Sequence, residues 1–471
     1  MHQTEEKLQA IGISLDEILL PSTDTDMTRW SVVACDQYTS EPEYWKRADV
    51  FIGDAPSTLR LIFPEVWLDR ETEVQKVGRI AAINRTMNEY AAQNLLCPHQ
   101  GPILVERSTC SGDVRLGLMA AVDLDRYDYR SGSQSLIRAT EGTIVDRLPP
   151  RIRIREHAAM ELPHIMVLID DPEKSVIEPL REAAYQDSCV QNEAVWNATV
   201  RKAAVIPVYD FPLMEGGGHL KGWKINSEQL LAHMTEALEK LADSKAFQAK
   251  YGVGPECGLL LFAVGDGNHS LATAKSCWEQ IRKTIPLDEQ ASHPARHALV
   301  ELVNVHDAGL HFEPIHRILF GVDAEEWLQA FMEWHRERGI RTFAERPDSN
   351  DCFIPGMPLT TGSQETVMIW RGGRRRLVWE NPSCQLAVGS LQAFLDVWLA
   401  THPVSALDYV HGNEVTERLG AAPGNIGFLL PTMSKKELFP TVIRDGALPR
   451  KTFSMGEAHD KRFYLECRRI R

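Results

Sequence analysis

Leu259-Leu260-Leu261-Phe262-Ala263-Val264-Gly265-Asp266-Gly267-Asn268-His269-Ser270 is the stretch on which the fold turns. An apolar run ends at Gly-Asp-Gly, three polar residues follow, and Leu271 to Lys283 has the spacing of a helix. A buried strand, a glycine turn and a helix start therefore succeed one another directly. Such a junction points backbone N–H groups outward, with the positive end of the helix dipole behind them, and suits a phosphate or another anion. Asp266, Asn268 and His269 add side chains that can move protons or hold a metal.

Outward from this junction, strand and helix signals alternate along the chain. Strands are predicted at Trp30–Ala34, Leu59–Phe63, Ile103–Val105, Val114–Val122, Arg151–Arg155, Ile165–Ile169, His297–Val305 and Ile426–Leu430. Val205–Leu213 and His219–Ile225 read as a hairpin across Gly216-Gly217-Gly218, and Thr366–Trp370 with Arg376–Trp379 as another. Helices are predicted over Glu71–Leu95, Ser227–Leu241, Ala324–Arg336 and Val388–Leu399. A further start falls at Ser40-Glu41-Pro42-Glu43, with Ser40 as cap. Asp170-Asp171-Pro172 should open a helix as well. Asp125–Pro150 is polar and without periodicity, and reads as a long functional loop, a natural lid. The fold class is α/β (mixed α+β), with mixed sheets flanked by helices. The expected organisation is a core over 1–344, a Pro/Gly/Asp/Ser/Asn-rich linker over 345–364, and a smaller α+β part over 365–471 packed on the core.

Fifty-one Lys and Arg against 65 Asp and Glu give a formal charge of −14, which argues against a general nucleic-acid binder. The four arginines of Arg371–Arg376 read as a solvated hairpin turn. Nine scattered cysteines, none at C-x-x-C spacing, fit a reducing cytoplasm better than a disulfide framework. The first residues carry Glu5, Glu6, Asp16 and Glu17 and lack the layout of a secretory signal. No apolar run approaches the about 18 residues a membrane helix needs.

Gly265 to Ser270 reads G-x-G-x-x-S, short of the dinucleotide fingerprint. The next strand comes late, and its terminal acid, Asp307, lies too far on. A Walker loop, a G-x-S-x-G elbow and an H-E-x-x-H helix are absent. His306, His311 and His316 recur at five-residue steps, which no strand or helix puts on one face. They read as hydrogen-bonded near-core residues before a metal site. Ser108-Thr109-Cys110-Ser111 reads as a hairpin turn. Asp-Gly-Asn is also ordinary turn chemistry. The position of Asp266, Asn268, His269 and Ser270 at the C-terminal end of a strand, where open sheets put ligands, favours function.

Several segments resemble the bacterial and archaeal family known as domain of unknown function 1015. Asp266-Gly267-Asn268-His269 with Ala272-Thr273-Ala274 resembles its D-G-H-H-R-Y-x-T-A signature, and Pro314-Ile315-His316-Arg317 its P-T-H-R segment. Glu141-Gly142-Thr143 with Asp146-Arg147 resembles its R-H-E-x-T region, Glu215–Trp223 its glycine hairpin, and Gly427–Thr432 its C-terminal segment. That family is more distantly similar to the superfamily of ParB partition proteins, sulfiredoxin and free-serine kinases, which hold nucleotide phosphates on a short strand–helix motif. The motif arginine is Ser270 here, and serine cannot make the bidentate phosphate clamp of a guanidinium.

The resemblance implies a cytoplasmic bacterial enzyme that binds ATP or ADP at Gly265, Gly267, Asn268 and Ser270. It would transfer a phosphoryl group to a small hydroxyl metabolite of serine-like chemistry, with neither nucleic acid nor membrane as partner. Asp266, Glu141 and His269 would be the catalytic residues: Asp266 holding Mg²⁺ or the hydroxyl, His269 donating to phosphate, Glu141 acting as base. Arg147, Lys275 or Arg317 would supply the missing positive charge. The alternative it implies is a non-catalytic nucleotide or small-ligand binder of the ParB type.

Overall fold

The computed structural model describes residues 2–187, 204–345 and 362–471. They form a mixed α/β structure of two compact units. Met1–Leu310 joins Gly456–Arg471 in the first, and His311–Met455 makes the second. The expected boundary at 344/345 moves to Leu310/His311, and the last sixteen residues of the expected C-terminal part fold into the first unit. Buried ion pairs explain that return. Arg462 bridges Glu301 and Glu466, and Arg468 reaches Glu161 at 2.7 Å and Asp16 at 2.8 Å. Buried charges of this kind persist only when paired and hydrogen-bonded. Nearly all of the expected 345–364 linker lies outside the described residues.

The first unit is built on a ten-stranded mixed sheet. Its order is 205–212, 219–225, 103–108, 114–123, 297–304, 166–169, 262–266, 137–139 and 127–128, with 13–14 paired beside 114–123. Alternation along its strands builds a core on each face. Leu104, Leu118, Val300 and Leu302 enter one cluster, and Ile103, Val105, Met119 and Leu299 the other. The strand Met166–Ile169 and the motif strand Phe262–Asp266 are central, so both run apolar rather than alternating.

The second unit carries an antiparallel sheet ordered 341–345, 373–380, 363–370, 425–429, 312–320 and 406–411, with 453–455 pairing 312–314. Helices Ala324–Glu337 and Ala387–Thr401 supply an aromatic core in which Trp327 stacks on Phe331 at 5.1 Å and meets Phe394 edge-on. The arginine-rich segment turns at the solvent-facing tip of the hairpin 363–380, where Arg374 and Arg375 pair with Glu417 and Glu325.

Several local expectations give way to tertiary context. Trp30 ends a short helix, Met27–Trp30, and Leu59–Phe63 enters a 3-10 turn, Thr58–Arg60. Glu41, not Ser40, occupies the cap of helix Pro42–Ile52. The next helix after Asp170-Asp171-Pro172 begins only at Glu178. Arg151–Arg155 belongs to helix Leu148–Arg155, because Pro149 and Pro150 suit a first helical turn. Its alternating arginines find Glu65, Glu73 and Glu161 around the helix. Asp125–Pro150 is not a detached lid: Tyr127–Asp128 and Ile137–Ala139 are strands of the main sheet. Polar residues hide the short second strand, since its middle residue, Arg138, is itself buried and donates to the carbonyls of Ser135 and Gly258.

Candidate functional site

Strand Phe262–Asp266 hands over to helix Asn268–Ile281 through a single residue, Gly267. Gly267 has φ +75°, and a Cβ there would lie 2.9 Å from the Ile165 Cα, so neither the turn nor the close approach tolerates a side chain. The pairing with Met166–Ile169 shifts between Val264 and Asp266, making Gly265 the extra residue of a bulge. Bulges re-aim the following side chain. Here that side chain is Asp266.

The helix begins without a side-chain cap, and its first backbone bond is Leu271 N–H to Gly267 O at 3.0 Å. The amides of Asn268, His269 and Ser270 precede that bond at the positive end of the helix dipole. Two buried polar atoms, Asn268 Oδ1 in that first turn and Thr143 Oγ1 one residue before Ile144, have no hydrogen-bond partner in the protein. Buried polar atoms are usually satisfied, so Asn268 Oδ1 at this helix start is open to a partner from outside the protein.

Asp266 is 28% exposed. Its Oδ1 accepts from Gly267 N–H at 2.9 Å and its Oδ2 from the Lys461 ammonium at 3.0 Å. Burial works against its ionisation, but Lys461, His164 and the Gly267 amide together hold the carboxyl below the usual aspartate range. Lys461, 13% exposed, is thus a cation at the motif, located there by the buried pairs of neighbouring Arg462. Lys275 and Arg317 do not fill that place. Lys275 donates to Leu124 O at 2.9 Å and faces Asp125 and Glu279. Arg317 belongs to the second unit, fully buried, with its guanidinium on the carbonyls of Ile315, Arg450 and Lys451. Arg147 sits exposed in the turn Val145–Arg147.

The Glu141 segment does come to the motif. Strand Ile137–Ala139 runs parallel to Phe262–Val264, and both the N–H and the hydroxyl of Thr140 donate to Val264 O. Glu141 therefore follows directly from a residue clamped to the end of the motif strand. Three residues on, Ile144 N–H donates to His269 Nε2 at 3.4 Å. With Nε2 accepting, a neutral His269 ring carries its proton on Nδ1.

Ser270, which replaces the family arginine, has a partner of its own. Its Oγ lies 2.9 Å from His164 Nε2, and His164 Nδ1 lies 2.8 Å from the Tyr464 hydroxyl. Burial pushes the Tyr464 phenol well above its ordinary range, so it keeps its proton, and its oxygen accepts from Cys35 N–H. With Tyr464 donating to Nδ1, His164 donates from Nε2 to Ser270 Oγ, leaving the serine hydroxyl hydrogen for a further acceptor. Asp36 Oδ2 stands 4.0 Å from His164 Nε2.

His164, Tyr464 and Lys461 are invisible to motif reading. Lys461 and Tyr464 lie nearly two hundred residues beyond the motif and reach it only through tail folding. Asp36 alone carried a signal, since it follows the apolar Val32-Val33-Ala34 much as Asp266 follows its strand. Two of the three spaced histidines have hydrogen-bond partners of their own. His306 pairs with Asp170 in the first unit, and His316 is buried in the second between Asn413 and the Leu430 amide.

A mixed-sheet α/β unit with an anion-type strand–glycine–helix junction, flanked by one lysine and a serine–histidine–tyrosine chain, is the class this architecture defines. The chain belongs to the family described as "Protein of unknown function (DUF1015)", whose model matches residues 19–398. No curated protein matches it. Solved structures that resemble it include a free serine kinase in complex with AMP, at 8% identity, TM-score 0.34, over 75% of this chain and 92% of that one. A conserved hypothetical protein from Pyrococcus furiosus gives 10% identity and TM-score 0.31 over 74% and 90%. SbnI from Staphylococcus aureus, with a C-terminal truncation, gives 11% and 0.32 over 72% and 83%. Likeness this distant carries no function across. Among the described residues no helix is long and apolar enough to cross a membrane.

Proposed function

We propose that the Gly265–Ser270 junction binds the phosphates of a nucleotide, and that the protein is a phosphotransferase acting on a small hydroxyl metabolite. The observation that carries this reading is the uncapped helix start in which Asn268 Oδ1 is buried without a partner in the protein. The amides of residues 268–270 and the Lys461 ammonium receive phosphate oxygens, in place of the absent arginine. Ser270 and His269 donate to the same group.

A bound ATP or ADP supplies the phosphoryl group, and Mg²⁺ would arrive with its phosphates. Asp266 fits that ion as one carboxylate beside phosphate ligands, not as part of an all-protein cage, because its Oδ2 is held by Lys461. Glu141 takes the proton as the substrate oxygen bonds to phosphorus and the bond to the leaving nucleotide oxygen breaks. His164 positions Ser270, and is a positioning residue rather than a catalytic one.

A thermal-shift screen of ATP, ADP, AMP, CTP and serine, with and without Mg²⁺, tests the binding half, since a ligand that favours the folded state raises the melting temperature. Lys461→Met should weaken the stabilising nucleotide about 10- to 100-fold, the scale of a charge-assisted hydrogen bond. Turnover is read as nucleotide product that forms only with an acceptor present. Unchanged turnover in both Asp266→Ala and His269→Ala would overturn the catalytic assignment. Tight binding without turnover for any acceptor makes the protein a ligand-responsive binder instead.

A further inference from the structure

Strands Ile103–Ser108 and Val114–Asp123 are joined by a tight hairpin with Cys110 exposed at its tip. The C-terminal tail brings His459 and Asp460 against that tip. Cys110 Sγ lies 4.0 Å from Asp460 Oδ1, His459 Nε2 lies 3.5 Å from the same oxygen, and the three donor atoms all fall within 4.8 Å of one another. Among the described residues this is the one grouping of three or more such donors so closely set.

The spacing suits a small tetrahedral ion. Zinc bonds of about 2.3 Å to sulfur and about 2.0–2.2 Å to nitrogen and oxygen require sulfur–oxygen and nitrogen–oxygen edges of roughly 3.6 and 3.4 Å. Two of the three edges are thus already within about 0.5 Å of a coordination sphere. The donors come from segments some 350 residues apart, so their meeting is not a by-product of one turn.

The surroundings orient the donors as outer-shell groups do in metal sites. Asp460 Oδ2 accepts from Glu457 N–H at 3.3 Å, which turns Oδ1 toward Cys110 and His459. Arg107, packed 5.3 Å over the Phe463 ring, donates to His459 O at 3.0 Å and to Ser108 O at 2.8 Å, holding tail and hairpin together. A thiolate, a neutral imidazole and a carboxylate balance a dication. Sulfur and nitrogen donors select zinc-class ions over Mg²⁺ or Ca²⁺. Three protein ligands, one of them on an exposed tip, leave a fourth position to water.

We propose that Cys110, His459 and Asp460 form a binding site for a zinc-class divalent cation, separate from the nucleotide reading and independent of it. The probe is Co²⁺, titrated into the full-length, chelator-treated, reduced protein. Binding should produce visible bands of a tetrahedral ion and a near-ultraviolet sulfur-to-cobalt charge-transfer band at one equivalent, both displaced by Zn²⁺. Cys110→Ser should abolish the charge-transfer band, and His459→Ala or Asp460→Asn should weaken Zn²⁺ about tenfold or more. Cys97→Ser, at another exposed cysteine, should change nothing. Circular dichroism of each variant confirms its folding. A wild-type protein without the charge-transfer band, or a band that survives Cys110→Ser, overturns the site.

Discussion

Asp266–Ser270 in the first unit and Pro314–Arg317 in the second both resemble family segments, and they differ in what their polar groups do. In the second unit, Arg317 is fully buried and engages three backbone carbonyls and Gln392 Oε1, with Tyr409 5.1 Å from its guanidinium. His316 uses both ring nitrogens, toward Asn413 Oδ1 at 2.7 Å and from Leu430 N–H at 3.1 Å. In the first unit, Asn268 and Thr143 keep buried oxygens that nothing in the protein satisfies. A motif whose polar groups are consumed by its own fold is structural. A motif that leaves one wanting is open to a ligand.

The sharpest way to break this distinction is Arg317→Ala. It removes a buried guanidinium, strands carbonyls of residues 315, 450 and 451, and opens a cavity. The expected loss of stability is about 3 kcal/mol or more, read from chemical denaturation. Nucleotide affinity of the folded fraction should not change. A variant that folds normally and binds nucleotide poorly would return Arg317 to the binding site.

Legibility followed the same division. Phe262–Asp266 and Asn268–Ile281 were readable because an apolar run, a glycine and a helical period agree locally. The proximity of the Glu141 segment to His269 was not readable, because it depends on strand Ile137–Ala139 lying beside Phe262–Val264, and three residues carry no periodicity. The role of Lys461 was further out of reach. It rests on Arg462 and Arg468 drawing the tail into a core whose charges come from three distant segments and the tail itself. Arg151–Arg155 shows the opposite failure, an alternation too short to separate a strand from one helical turn with salt-bridge partners around it.

A second test uses protons. His316 donates from Nε2 to Asn413 and accepts at Nδ1 from Leu430 N–H, so protonating Nδ1 would set two donors against each other. Burial lowers its basicity below the ordinary value of 6.5, the Asn413 bond opposes that, and the charges of Arg317 and His411 add to the lowering. His335 repeats the arrangement, with Nδ1 on Phe331 O and Nε2 accepting from Trp379 Nε1 at 3.0 Å, and burial lowers it too. Because the folded state binds fewer protons than the unfolded one, these groups contribute stability that is complete above about pH 6.5 and is lost as pH falls below it. Asp266, also depressed, keeps its contribution until pH falls below about 3.8. Denaturation midpoints should therefore fall between about pH 6.5 and about pH 5, and His316→Gln should reduce that slope while Asp266→Asn should leave it unchanged. A slope that Asp266→Asn removes would mean the titrating group lies at the motif instead.

The smallest effect bears most directly on the contrast. Asn268 begins the helix after Gly267, and its buried Oδ1 has no protein partner. Truncating a satisfied buried amide usually costs about 1–3 kcal/mol, through the partner left behind. Asn268→Ala strands no donor to Oδ1 and removes a desolvated oxygen, while alanine is the better helix former. Its denaturation free energy should stay within about 0.5 kcal/mol of the parent protein or rise above it. Nucleotide affinity should fall about fivefold, since a ligand hydroxyl or amino group that would have met Oδ1 loses its acceptor. Stability and affinity moving in opposite directions is the signature of a group held for a ligand. A loss of stability on the scale of a satisfied amide, with affinity unchanged, would make Asn268 as structural as Arg317 and remove the observation on which the binding site stands.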